Sequence, residues 1–191
     1  MNIVRESSLE EYASWYLQRE SRMGRVFAIP DDPEQHVEIM WSQHPGKMRE
    51  WFNSSIHWYI VLIDVVTDLE NLIFLESEWT KKEGLIVPNN KNYRLLSRVA
   101  RNAISLNYLE RPSAIKHKNY YERLITGSLR LEGDDRVAIC SAEQSEIQSN
   151  PNGKYYLLDG VGRCLPYMII IINQEQEYEP IEAFLAEGET A

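Results

Sequence analysis

A chain of 191 residues, 43% hydrophobic and 26% charged, has the size and composition of one globular domain. It has no apolar run near the roughly 18–20 residues that cross a bilayer, no basic-then-apolar leader, and only two cysteines, Cys140 and Cys164, without the spacing of a zinc site or a disulfide framework; no membrane partner and a cytoplasmic location are therefore expected. The net charge of −9 argues against duplex DNA as a partner, because that binding draws on phosphate neutralisation.

Residues 1–55 read as a helical arm, rich in Trp, Met and charge. Ser7 or Ser8 can cap a helix running to about Met23, with Glu10 and Glu11 in its first turn. Pro30-Asp-Asp-Pro33 breaks the chain, and a second helix is expected from Pro33 to about Trp41. His44-Pro45-Gly46 marks a turn before a third helix, from Gly46 to about Phe52. Ile56 to Val66 is dense in aromatic and β-branched residues and predicts a central strand. Asp68 to Trp79 fits a short helix as well as a strand, and Gly84 to Asn90 reads as a loop.

Asn92 to Leu109 carries the clearest helical pattern. Leu96, Val99, Ala103 and Leu106 share one face, and Arg94, Arg98 and Arg101 share the other. Arg111-Pro112 stops it, and another helix is expected from Asn119 to near Gly127. Arg136 to Cys140 and Tyr155 to Leu158 predict an antiparallel strand pair, with Pro151-Asn-Gly153 as a turn between them. A helix from about Val161 carries Pro166 early, where a missing N–H costs little, and ends near Asn173. Pro180 to Ala186 closes the series as a strand. The window Lys91–Arg130 holds nine basic and two acidic residues, a charge of +7 against −16 for the rest. Such asymmetry marks either a local anion surface or a basic helix paired with acidic neighbours.

The strongest functional signal is Asp159-Gly160-Val161-Gly162-Arg163, where a strand runs into a Gly turn and a helix leaves it. A helix N-terminus presents unpaired N–H groups and partial positive charge. Glycine lets a ligand approach the backbone, and an arginine adds a forked donor that fits phosphate. Gly160, Val161, Gly162 and Arg163 are therefore the candidate phosphate cradle, with Arg98 and Arg101 as added charge. Asp159 has two readings. It can position magnesium or accept a proton as a catalytic residue, or it can shape the turn by bonding to the N–H of Gly162 or Arg163. Arg163 likewise has an alternative, an ion pair with Glu179 or Glu182.

The order helix, strand, turn, strand, Asp-Gly-x-x-Arg, helix, short strand over the last 70 or so residues resembles the ParB N-terminal domain and sulfiredoxin superfamily. That resemblance implies an α+β fold, a mixed sheet with flanking helices, occupying residues 56–187 and following the arm. It also implies a nucleotide triphosphate with Mg, or another phosphate-bearing small molecule, held at Gly160–Arg163. The departures matter. Sulfiredoxins carry their reactive cysteine inside the motif, where this chain has Val161 and Gly162, with Cys164 one residue beyond Arg163. ParB proteins add an acidic residue and a second arginine in the motif, which Gly162 cannot replace, and no helix-turn-helix segment follows the core here. Related kinases use an acidic base near the phosphate, a part open to Glu143 or Glu146.

His36, His44, His57 and His117 form no metal-type pair, so no metal site is expected, and each histidine reads as structural or surface. Asp64 reads as a strand-end cap or as an acid–base group. The tryptophans at 15, 41, 51, 58 and 79 lack the spacing of a base-stacking platform and read as core. The leading expectation is nucleotide or phosphate binding, with phosphoryl transfer or nucleotide hydrolysis as the matching activities. The alternatives are a non-enzymatic interaction domain, including a homo-oligomer, and a DNA-binding or nuclease role.

Overall fold

In a computed structural model of the chain, which describes residues 1–24, 28–43, 55–74, 77–86, 94–142 and 153–188, side chains alternate along the inner strands to feed two hydrophobic cores, one on each face of a single sheet. The strands are β1 (Asn2–Ser7), β2 (Ser55–Ile63), β3 (Ile73–Phe74), β4 (Val137–Ser141), β5 (Tyr155–Asp159) and β6 (Ile181–Gly188). Their order across the sheet is β1-β2-β6-β4-β5-β3. β1/β2, β2/β6 and β4/β5 are antiparallel, while β4/β6 and β3/β5 are parallel. The fold is thus α+β with a mixed sheet.

Seven α-helices lie among the described residues: α1 (Leu9–Arg22), α2 (Pro33–Gln43), α3 (Val66–Glu70), α4 (Glu78–Lys82), α5 (Leu96–Ser105), α6 (Ile115–Ile125) and α7 (Val161–Ile172). One core holds Tyr12, Trp15, Leu17 and Met40 of α1 and α2 against Trp58, Ile60, Cys140, Leu158 and Phe184 of the sheet. The other holds Leu96, Val99, Leu124, Leu165 and Ile169 of α5, α6 and α7 against Val61, Val137, Ile139, Leu157 and Leu185. Strands that bury both faces read as near-continuous apolar runs, which is how β2, β4 and β6 stand in the sequence. None of these helices is long and apolar enough to cross a membrane.

The expected α1 forms as read: Ser8 is its cap, accepting from the Glu11 N–H at 3.2 Å. The beginning of the chain is not only helical, however. Asn2–Ser7 is an edge strand paired with β2, and α1 covers a face of the same sheet. β1 is exposed along nearly its whole length, so it lacks the buried alternation that would mark it in sequence. Asp68–Trp79 resolves into the end of α3, β3 and the start of α4.

The expected helix 92–109 is shorter. It ends at Ser105, because Asn107 takes a left-handed conformation (φ 48°) and a 3-10 turn follows at Tyr108–Glu110. Leu106 is therefore exposed instead of joining the apolar face. Pro112 opens a 3-10 turn that leads into α6, so that helix starts earlier than expected. Pro166 lies inside α7, past the first turn, where its missing N–H removes a ladder bond to the Gly162 carbonyl. Burial of Arg163 through Ile170 between the sheet and α5 and α6 holds the helix together despite that loss. The turn at 44–46, the helix at 46–52 and the loop carrying Glu143 and Glu146 lie outside the described residues.

Candidate functional site

β5 ends at Asp159, Gly160 turns the chain, and α7 begins at Val161. Gly160 sits at φ 92°, and a Cβ there would stand 2.4 Å from Val137 Cγ1. Only glycine suits both the conformation and the space. As N-cap, Gly160 offers no side chain to the helix, while its carbonyl accepts from the N–H groups of Arg163 and Cys164 at 2.8 Å each. Helix geometry leaves the Val161 and Gly162 N–H groups outside that ladder. Both residues line a cavity of about 310 Å³ at the end of β5.

Four helices converge on this cavity. α7 supplies Val161, Gly162 and Arg163; α1 supplies Tyr16, Arg19 and Glu20; α4 supplies Trp79; and α6 supplies Lys116, His117 and Tyr120.

Arg19 and Arg163 are 7% and 4% exposed, and both reach Asp159. Arg19 Nη1 donates to Asp159 Oδ2 and Arg19 Nη2 donates to Glu20 Oε1 at 3.0 Å. Its guanidinium lies over the Trp15 and Tyr16 rings, 4.8 and 5.5 Å from their centres. Its Nε is buried with no hydrogen-bond partner among the described residues. Arg163 is held more loosely, with Nη1 3.5 Å from Asp135 Oδ1 and Nη2 3.6 Å from Asp159 Oδ2. Burial opposes ionisation of Asp159, but the charges of Arg19 and Arg163 and a bond from the Gly160 N–H outweigh it and hold its pKa below the usual carboxylate value.

Of the residues singled out by sequence, Asp159, Gly160, Val161, Gly162 and Arg163 come together in this cavity. Arg98 and Arg101 do not join them: both are exposed on α5 and neither lines the cavity. Neither alternative partner expected for Arg163 pairs with it; its ion pairs are to Asp135 and Asp159. Glu182 pairs with Arg136 at 2.9 Å, and the Glu179 backbone meets the Tyr167 hydroxyl. The Asp159 carboxylate takes the Gly160 N–H together with two guanidinium groups, an arrangement broader than a simple turn-shaping bond. Cys164 is fully buried on the core side of α7, and burial pushes its thiol up to about 12, so no thiolate stands at this helix start. Among the described residues no cluster of three His, Cys, Asp or Glu side chains could hold a metal ion.

Sequence reasoning missed Arg19, Glu20, Lys116, His117 and Tyr120. Each sits on a helix whose pattern gives its buried face but not the distant turn that face meets. His117 is buried, with Nδ1 3.1 Å from the Tyr108 hydroxyl, and its ring stacks on Trp79 at 5.0 Å with planes 6° apart. Burial, aided by Lys116, lowers its pKa to about 4, so the imidazole is neutral at pH 7. Comparison of the chain with protein-family models, curated proteins and solved structures returns no match.

Proposed function

We propose that the cavity at the start of α7 binds a phosphate-bearing small molecule, with nucleotides as the leading class. The observation that carries this reading is the pairing of an uncapped helix start with two buried guanidinium groups around one small cavity. The phosphate would take the Val161 and Gly162 N–H groups, Arg163 would clamp it, and Lys116 would add charge from the rim. Arg163 suits the part because its present ion pairs are long, whereas Arg19 is anchored by Asp159 and Glu20. The cavity volume is at the lower end of the roughly 300–1,000 Å³ of small-molecule sites, and Tyr16, Trp79 and Tyr120 supply aromatic wall. The motif's resemblance to the ParB and sulfiredoxin superfamily points the same way.

Asp159 meets two cations, so a magnesium ion would need a ligand phosphate to draw a guanidinium away from it first. Phosphoryl transfer or nucleotide hydrolysis would use Asp159 as the proton acceptor in that rearranged state. A second reading, a non-catalytic interaction domain, is favoured by one observation. Glu20, Asp135 and Asp159 already surround Arg19 and Arg163, three carboxylates to two guanidinium groups, so both cations are paired without a ligand.

A thermal-shift panel of nucleotides and inorganic phosphate, with and without magnesium, separates the two. Binding should raise the melting temperature of the wild type. Arg163→Ala, and Lys116→Ala at an exposed position, should each weaken it, the former at least tenfold, which is about 1.4 kcal/mol. No shift with any phosphate compound would leave the ion network as a structural device and sink the ligand reading.

A further inference from the structure

His117 lines the cavity, and its hydrogen bonding to Tyr108 bears on which of its nitrogens carries the proton. The Tyr108 hydroxyl is itself buried, and its hydrogen-bond partner is His117 Nδ1 at 3.1 Å. A buried hydroxyl proton needs an acceptor, and His117 Nδ1 is the one it meets among the described residues, so Tyr108 donates to it. Burial, followed by the charge of Glu83, pushes the Tyr108 hydroxyl up to about 12, so this proton stays in place at neutral pH. An imidazole that accepts at Nδ1 and is neutral carries its proton at Nε2. That Nε2 is buried and has no hydrogen-bond partner among the described residues, although His117 is only 8% exposed and lines the cavity. A buried donor left unmade costs free energy, so the arrangement calls for an acceptor.

We propose that His117 is a specificity-determining residue of this cavity, donating from Nε2 to an oxygen or ring-nitrogen acceptor on the organic part of the phosphate ligand, with Tyr108 holding the required tautomer and Trp79 stacked on the ring. The ligand class is then a phosphomonoester with a planar, acceptor-bearing ring, as in a nucleoside monophosphate, its ring against Trp79 and Tyr120 and its phosphate at Gly162. Tyr120 lies close to that turn: a Cβ on Gly162 would be 3.4 Å from its ring. This proposal rests on the phosphate reading above.

The test is calorimetric titration of the whole protein with AMP and with inorganic phosphate, on the wild type, His117→Gln and His117→Asn. Gln places its amide nitrogen near the former Nε2, and Asn near the former Nδ1. The expected result is that AMP binds the wild type more tightly than phosphate, that Gln keeps the AMP affinity, and that Asn loses about tenfold for AMP with phosphate unchanged, the scale of one hydrogen bond. Two-bond proton–nitrogen spectra of the imidazole should show the Nε2–H form in the wild type and lose that preference in Tyr108→Phe. Phosphate binding without an advantage for AMP, or equal AMP affinity in both His117 variants, overturns the proposal while leaving the phosphate site standing. An Nδ1–H tautomer in the wild type overturns it independently of any ligand. Failure of both probes to bind the wild type overturns this proposal and the phosphate reading together.

Discussion

Two glycines two positions apart illustrate how differently a shared motif constrains each position. Gly160 combines a left-handed backbone with a Cβ position overlapping Val137, whereas a Cβ at Gly162 meets only the Tyr120 ring and Lys116 Cε at 3.4 Å or more. Gly160→Ala should therefore lose roughly 2–4 kcal/mol, from the left-handed penalty plus overpacking. Gly162→Ala, in the first turn of a helix, should stay within about 0.5 kcal/mol of the wild type. Urea unfolding of both variants checks this, and equal losses would refute the assignment of Gly160 as the constrained position. The Asp-Gly-x-x-Arg turn was legible because strand, turn and helix signals fall together within a few residues. Arg19 was not, because its partner Asp159 lies 140 positions away and the pattern of α1 shows a buried face without saying what that face meets.

Among the elements, α1 joins sequence signal to site geometry most directly. Ser8 caps it, Glu10 and Glu11 complement its dipole, and three turns later it delivers Tyr16, Arg19 and Glu20 to the cavity. Ser8→Ala should cost about 1 kcal/mol, the worth of one helix cap. Hydrogen exchange should accelerate first in the opening turn of α1, and an unchanged denaturation midpoint would deny the cap its role. α5 shows the opposite relation. The three arginines of the expected helix suggested a phosphate-facing stripe, yet packing against α7 and the sheet settles the orientation of α5 and turns Arg98 and Arg101 to solvent. Amphipathic spacing tells which face is buried; it leaves open whether the polar face meets a site or water. β1 escaped notice for a related reason, since an exposed edge strand needs no buried alternation.

The response of the whole molecule to acid should come in two stages. His117 has a folded pKa of about 4, below its ordinary 6.5, because burial and then Lys116 disfavour its charge. The unfolded chain takes up that proton first, so this contribution is present above about pH 6.5 and is lost as pH falls toward 4. Asp159 is also depressed, with the attraction of Arg19 and Arg163 exceeding the opposing effect of burial, and its contribution is lost only below its usual 3.8. Denaturant melts across pH should show a first decline between about pH 6.5 and 4 that flattens in His117→Gln, followed by a steeper one. An unaltered first decline in that variant would contradict a buried neutral imidazole. The placement of β6 bears on synthesis as well. This strand, last in chain order, lies between β2 and β4 and is the link joining β1-β2 to β4-β5-β3. A nascent chain therefore leaves the ribosome as two unjoined halves with open edges, and the sheet can close only after Ile181–Gly188 has emerged, an interval in which chaperone capture would matter most.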